Sequence, residues 1–125
     1  MTSKYKLTVT EKQAEIMRDA LELYARIHAG QISTLSEHLP HTLSDKADLT
    51  EELKKAYKPF STHEDVHGYY PTNNSEISWD LYTLIRHRLA WDNNPKGGIF
   101  VSFDRPTQHG SEPTAIIENT EKNTN

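Results

Sequence analysis

The segment from Trp79 to Arg105 alternates aromatic and basic side chains. Its aromatic members are Trp79, Tyr82, Trp91, Phe100 and Phe103, and its polar members include Arg86, Arg88, Asn94, Lys96 and Arg105. Within this segment, residues 81–103 carry three basic residues and one acid, in a chain whose net charge is -4. Aromatic rings stack bases, and arginine and asparagine bind phosphates and base edges. This pattern indicates a site for a nucleotide or a related phosphate compound.

A structural explanation of the same residues stays open. Arg86 and Arg88 could form the solvated face of a helix. Phe100 and Phe103 would lie on opposite faces of one strand, so at least one of them could be ordinary core.

A second candidate group lies in Tyr24–Gln31, which reads Tyr-Ala-Arg-Ile-His-Ala-Gly-Gln. On a helix Arg26 and Gly30 share one face, and His28 lies on another. Arg26 could bind a phosphate. It could also pair with Glu22 four residues earlier, which is the commoner role of such an arginine.

The only grouping that suggests a metal is His63, Asp65 and His67, in a long polar stretch. Two imidazoles and a carboxylate could bind a divalent ion, but the spacing matches no standard motif, and surface histidines are the simpler interpretation. No Gly-x-Ser-x-Gly, phosphate-loop or dinucleotide motif occurs, and the chain has no cysteine for thiol catalysis. We therefore expect a binding protein rather than an enzyme, with no cofactor.

The elements that must position these residues are predicted from periodicity and caps. Residues 4–9 alternate polar and apolar and predict a strand, and Thr10 with Gln13 predicts a helix start. That helix would run for about 27 residues, or ~40 Å, so part of it would need a partner helix or subunit. Further elements are predicted as a helix at about 50–57 ended by Pro59, a helix from Ser75 or Ser78 to Asn93 or Asn94, and strands at 99–103 and 114–118. The predicted fold is α+β, with two long helices and a small antiparallel sheet from both chain ends.

Length and composition limit the organisation. The 125 residues predict one domain over 1–118, with a long loop at 59–75 and a flexible tail at 119–125. Hydrophobic residues make up 34% of the chain and its mean hydropathy is -0.79, which predicts a thin core and favours a homo-oligomer.

Charge and hydropathy also restrict location and partners. Residues 1–20 contain no apolar stretch of the kind found in a secretory signal, and nothing approaches a membrane span. We expect a cytosolic protein. The net charge of -4 argues against binding to a membrane or to a nucleic acid polymer.

The residue pattern resembles a known family. The similarity covers residues 4–36 and 78–118, and it includes Tyr-Ala-Arg-x-x-x-Gly-Gln, then Leu-x-x-x-Ile-Arg-His-x-Leu-Ala-Trp-Asp-x-Asn-Pro-x-Gly-Gly and Val-Ser-Phe-Asp. In these features the chain is similar to the first described family of bacteriophage Thoeris anti-defence sponges.

The resemblance implies a function. It implies sequestration of cyclic ADP-ribose isomers made by bacterial TIR-domain enzymes, without cleavage, and for some members binding of cyclic oligonucleotides at a separate site. It also implies a dimer or larger homo-oligomer whose pockets cross subunit boundaries, in the cytoplasm of an infected bacterium.

The resemblance also implies roles for particular residues. An aromatic ring and an arginine would sandwich the adenine: Trp79, Tyr82 or Trp91 for the ring, and Arg105 for the arginine. Arg26 and Asn94 would contact phosphate or ribose. Arg86 and His28 complete the candidate set. The alternatives are inhibition of a host factor by protein contact and, less favoured, a metal-dependent hydrolase.

Overall fold

The computed structural model describes residues 3–40, 46–62 and 68–121, and every regular element in these ranges is helical. The α-helices are α1 (Glu11–His28), α2 (Leu35–His38), α3 (Lys46–Tyr57) and α4 (Asn73–Asn93), and short 3-10 turns occupy Ile32–Thr34, Lys58–Phe60 and Val101–Phe103. The predicted α+β fold with a small antiparallel sheet is therefore wrong.

The three predicted strands fail for a common reason. A period-two pattern shows that a segment could bury one face in a sheet. A strand also needs a neighbouring strand to form hydrogen bonds with its backbone. Residues 4–9 have no neighbouring strand in the part of the chain that the structure describes, and Tyr5 and Leu7 are 92% and 73% exposed. Residues 101–103 form a 3-10 turn, and residues 114–118 form no regular structure.

Helix α1 starts as predicted and ends early. Thr10 and Gln13 form both halves of the capping box. The helix stops at His28 because Gly30 adopts a φ of +91°, which favours glycine. A Cβ at Gly30 would lie 3.1 Å from the ring of Tyr70, so the glycine also permits a close approach. Eighteen residues span about 27 Å, so the predicted length of 27 residues is wrong.

The other helix bounds follow their local signals in part. Helix α3 begins at Lys46, earlier than predicted, and ends at Tyr57 before the turn that contains Pro59. Helix α4 begins after a Thr72 cap rather than at Ser75 or Ser78. Its end at Asn93 confirms the limit set by Pro95.

The core lies between α1 and α4, which pack antiparallel. Ala14, near the start of α1, packs with Ile85 and Leu89, whereas the Ser78 hydroxyl donates to the Leu21 carbonyl at 2.8 Å. Among the described residues, the buried hydrophobic side chains are Ala14, Ala25, Ala29, Tyr82, Ile85 and Leu89. The prediction of a thin core is confirmed. None of the described helices is both long and apolar enough to cross a membrane.

Residues 104–119 fold back over α4 as an irregular hairpin, called here the C-terminal hairpin. The Asp80 carboxylate accepts the hydroxyl of Thr107 and the backbone N–H of Gly110, each at 2.8 Å. The chain then turns, and the side chain of Asn119 bonds to the last turn of α4. Polar contacts thus take the place of the predicted sheet.

Candidate ligand-binding site

Four of the predicted site residues come together in one row, called here the arginine–aromatic row: Arg26, Trp79, Tyr82 and Arg86. The guanidinium carbon of Arg26 lies 5.1 Å from the centre of the Trp79 ring. The Trp79 and Tyr82 rings are 4.9 Å apart and tilted by 52°, and the Arg86 guanidinium lies 4.9 Å from the Tyr82 ring. Both outer contacts have cation–π geometry. The row therefore holds two aromatic rings between two guanidinium groups.

The antiparallel packing of α1 and α4 creates this row. It places the end of α1, with Arg26, beside the first half of α4, with Trp79. Arg26 also pairs with Glu22 at 3.6 Å and donates to the Gln31 side chain at 3.1 Å. Since α1 has just ended, Gln31 can turn back toward it. Arg26 thus combines the predicted pairing with Glu22 and a stacking contact that sequence alone could not show.

At the other end of the row, Arg86 stacks on the Tyr82 ring, which belongs to the same helix. Its Nη1 donates to the Tyr82 hydroxyl at 3.2 Å, and Tyr82 is only 8% exposed. The Arg86 Nε is buried and has no hydrogen-bond partner within the described parts of the chain. A buried donor without an acceptor is unfavourable by about 1–3 kcal/mol. Moving this guanidinium onto a ligand oxygen would therefore recover part of that cost.

Acidic groups moderate the charge at the Arg26 end. Glu22 also lies 3.8 Å from His38 Nε2, so its carboxylate is shared between two partners. The pKa of Glu37 is below its ordinary value, chiefly because Lys46 donates a hydrogen bond to it at 3.0 Å, with smaller contributions from the charges of Lys46, Arg26 and His38. The charge on Glu37 therefore persists to lower pH than that of an ordinary glutamate, and any anion at this end of the row would have to compete with these carboxylates.

His28 does not join the row. It stacks on Tyr24 with ring centres 4.0 Å apart and planes 24° apart. Arg26 lies two positions from each of them, and residues two apart do not share a helix face. The structure therefore places His28 on a different side of α1 from Arg26.

Trp91, Asn94 and Arg105 also lie away from the row. Trp91 follows Trp79 by twelve residues, about 18 Å along α4, and packs edge-on against Phe103 at 5.4 Å. Asn94 caps the end of α4. Arg105 is exposed and forms no ion pair with any described residue. The pairing of Arg105 with Trp79 or Tyr82 is not present in this structure.

Two open grooves lie elsewhere on the surface. The first, called here the α1–α4 groove, has a volume of about 330 Å³ and is lined by Leu21, Tyr24, Asn74, Ile77, Ser78 and Leu81. The second, the hairpin groove, has about 230 Å³ and lies between α4 and the C-terminal hairpin. They share Ile77 and Leu81. Neither contains a member of the arginine–aromatic row. A planar ligand that binds to the row would therefore have to displace an arginine from the ring that it covers.

The metal hypothesis rests on His63, Asp65 and His67, which lie outside the described residues. Within residues 3–40, 46–62 and 68–121 no group of three potential ligands is close enough to hold a metal.

The sequence analysis missed one contact within the row and one beside it. The four-residue spacing of Tyr82 and Arg86 could have predicted their stacking. The contact of His38 with Glu22, beside the row, could not be predicted, because it depends on the turn at Gly30.

Comparison of the chain with protein-family models, with curated proteins and with solved structures finds no match.

Proposed function

We propose that this protein binds and sequesters a cyclic nucleotide immune signal, of the cyclic ADP-ribose class, without cleaving it. The observation that carries the proposal is the arginine–aromatic row, in which Arg26 and Arg86 flank the rings of Trp79 and Tyr82. Such a ligand joins a flat adenine to two phosphates. In the proposal the Trp79 ring stacks on the adenine, the Arg26 guanidinium covers the other side of the base, and the Arg86 guanidinium binds a phosphate.

Arg26 and Trp79 are the best partners for the base. A base stacked between two planes needs about 3.5 Å on each side, or ~7 Å in all. The present separation is 5.1 Å, so the guanidinium must move outward by about 2 Å. Arg26 is about one third exposed, on a flexible side chain, and can make this movement. In this proposal the arginine covers the ring in the free protein and the base displaces it.

Binding without cleavage is consistent with the acids around the row. Glu22 is the carboxylate that contacts it, and this group is held by Arg26 and His38. The proposed setting is the cytoplasm of an infected bacterium, where a phage protein that removes the signal would prevent activation of the host defence.

Release of intact ligand tests the proposal. The purified protein is incubated with cyclic ADP-ribose isomers, and the free ligand is measured by chromatography before and after heat denaturation. We expect depletion before heating and recovery of unchanged ligand afterwards. Absence of depletion refutes the proposal, and recovery of an altered compound identifies an enzyme instead.

Substitutions locate the site. Since base–aromatic stacking contributes about 1–3 kcal/mol, Trp79→Leu should weaken binding by roughly 5- to 150-fold. Arg26→Gln should weaken binding by at least as much, because it removes both the stacking contact and the positive charge. Arg18→Gln is the matched control, because Arg18 lies on α1 and its ion-pair partner among the described residues is its exposed neighbour Asp19. Equal affinity of Trp79→Leu and Arg18→Gln would exclude the row as the site.

A second candidate is inhibition of a host factor by protein contact. The observation that favours it is the exposed apolar turn at Ile99, Phe100 and Val101, which are 98%, 72% and 58% exposed. Recovery of one host protein in a pull-down, lost in Phe100→Ser, together with featureless calorimetry against nucleotides, would favour this candidate.

A further inference from the structure

The segment of residues 4–9, called here the arm, has an apolar face that nothing in the described chain covers. Tyr5, Leu7 and Val9 alternate with polar residues, and Tyr5 and Leu7 are 92% and 73% exposed. No backbone hydrogen bond joins residues 3–9 to the described chain. Alternating apolar residues of this kind are typical of a segment that lies on a surface with one face buried.

The α1–α4 groove offers an apolar surface that accepts such a segment. Leu21, Tyr24, Ile77 and Leu81 line it, and Tyr24 is 42% exposed. Its volume of about 330 Å³ can receive apolar side chains of the arm. The groove is unoccupied by any described part of its own chain.

Charge favours the same pairing. Lys4 and Lys6 give the arm +2, which leaves -6 for the rest of a chain of net charge -4. The exposed Glu112 lines the hairpin groove, which shares Ile77 and Leu81 with the α1–α4 groove. An arm of charge +2 is therefore attracted to a second copy whose remaining residues carry -6.

The arm is attached far from its own groove. Thr10, at the root of the arm, precedes Leu21 by eleven residues, or about 16 Å along α1. Antiparallel packing puts this root beside the end of α4, whereas the groove flanks the start of α4. To reach its own groove the arm would have to reverse along α1.

We propose that the arm of one copy docks in the α1–α4 groove of a second copy, and that two copies exchange arms reciprocally. The dimer is isologous, because each copy gives one arm and one groove. This inference does not depend on the proposed ligand.

Engineered cysteines test the contact directly, since the chain has no cysteine of its own. A tagged Leu7→Cys copy is mixed with an untagged Leu81→Cys copy under mild oxidation. We expect a disulfide between the two copies, at least about tenfold more than with Thr8→Cys, which lies on the opposite face of the arm. A predominance of Leu7→Cys pairs linked to each other would show arm-to-arm pairing and overturn the proposal. Formation of only an intrachain disulfide in the double variant would overturn it as well.

The mass in solution gives an independent test. Light scattering should show a dimer, and Leu7→Asp should raise its dissociation constant by about tenfold for each arm. Lys6→Glu should weaken the dimer, because it replaces one of the two positive charges of the arm with a negative charge. Thr8→Asp is the control and should leave the mass unchanged. A wild-type chain that stays monomeric at high micromolar concentration overturns the proposal, whether or not it binds a nucleotide.

Discussion

Replacing Asp80 by alanine should detach the C-terminal hairpin from α4. The Asp80 carboxylate accepts the backbone N–H of His109 at 2.9 Å, that of Gly110 at 2.8 Å and the hydroxyl of Thr107 at 2.8 Å. Asp80→Ala removes all three contacts at once. The hairpin covers part of the thin core through Ile117, so the loss should extend to global stability.

The size of the effect follows from these three bonds. A hydrogen bond to a charged acceptor contributes about 1.5–3 kcal/mol when it is buried. Asp80 is half-buried, so water replaces part of each lost bond. We expect the free energy of unfolding to fall by about 2–4 kcal/mol in Asp80→Ala. Asp80→Asn keeps one acceptor oxygen, so its free energy of unfolding should fall by less than that of Asp80→Ala.

Urea unfolding and backbone amide hydrogen exchange provide the assay. The unfolding midpoint should fall, and the amides of His109 and Gly110 should exchange faster, while those in the middle of α1 change less. The matched control is Asp104→Ala, because Asp104 is an exposed acid at the start of the same hairpin. If Asp80→Ala and Asp104→Ala unfold at the same urea concentration, the Asp80 contacts do not hold the hairpin.

Three further changes test the core, a turn and an ion pair. Ile85→Ala should destabilise the protein by about 2–5 kcal/mol in urea unfolding, whereas Ile16→Ala, which is exposed, should have a small effect. Gly30→Ala should cost about 1–3 kcal/mol because of the positive φ, and Gly30→Asn should cost less; equal stability of both with wild type would contradict this. Lys46→Met should raise the pKa of Glu37 measured by NMR. Since that pKa is lowered in the folded state, the contribution of Glu37 to stability is present above its unfolded-state pKa, is lost as pH falls through the folded pKa, and should shrink in Lys46→Met.

The sequence alone determined three helix boundaries, which are the start of α1 and the ends of α3 and α4. The Thr10 capping box, Pro59 and Pro95 act within a few residues, so their effects can be read without knowing the fold. The thin core also follows from composition. Gly30 was visible as an unfavourable helix residue, but its positive φ and its contact with Tyr70 depend on chain that approaches from elsewhere.

The sequence predicted which residue types would form the arginine–aromatic row, but the fold decided which of these residues lie together. Arg26 and Trp79 are 53 positions apart, and only the antiparallel packing of α1 and α4 brings them together. The same packing separates Trp91 and His28 from the row, although their residue types fit equally well.

The absence of a sheet from the described residues could not be predicted from the local sequence. Residues 4–9 and 99–103 have the composition of strands, but a strand forms only where another strand offers its backbone. The tertiary structure instead ties residues 104–119 to Asp80, one carboxylate among 18 acidic residues and without any motif around it. Patterns within a segment report which face it can bury, whereas the choice of partner depends on residues distant in the chain.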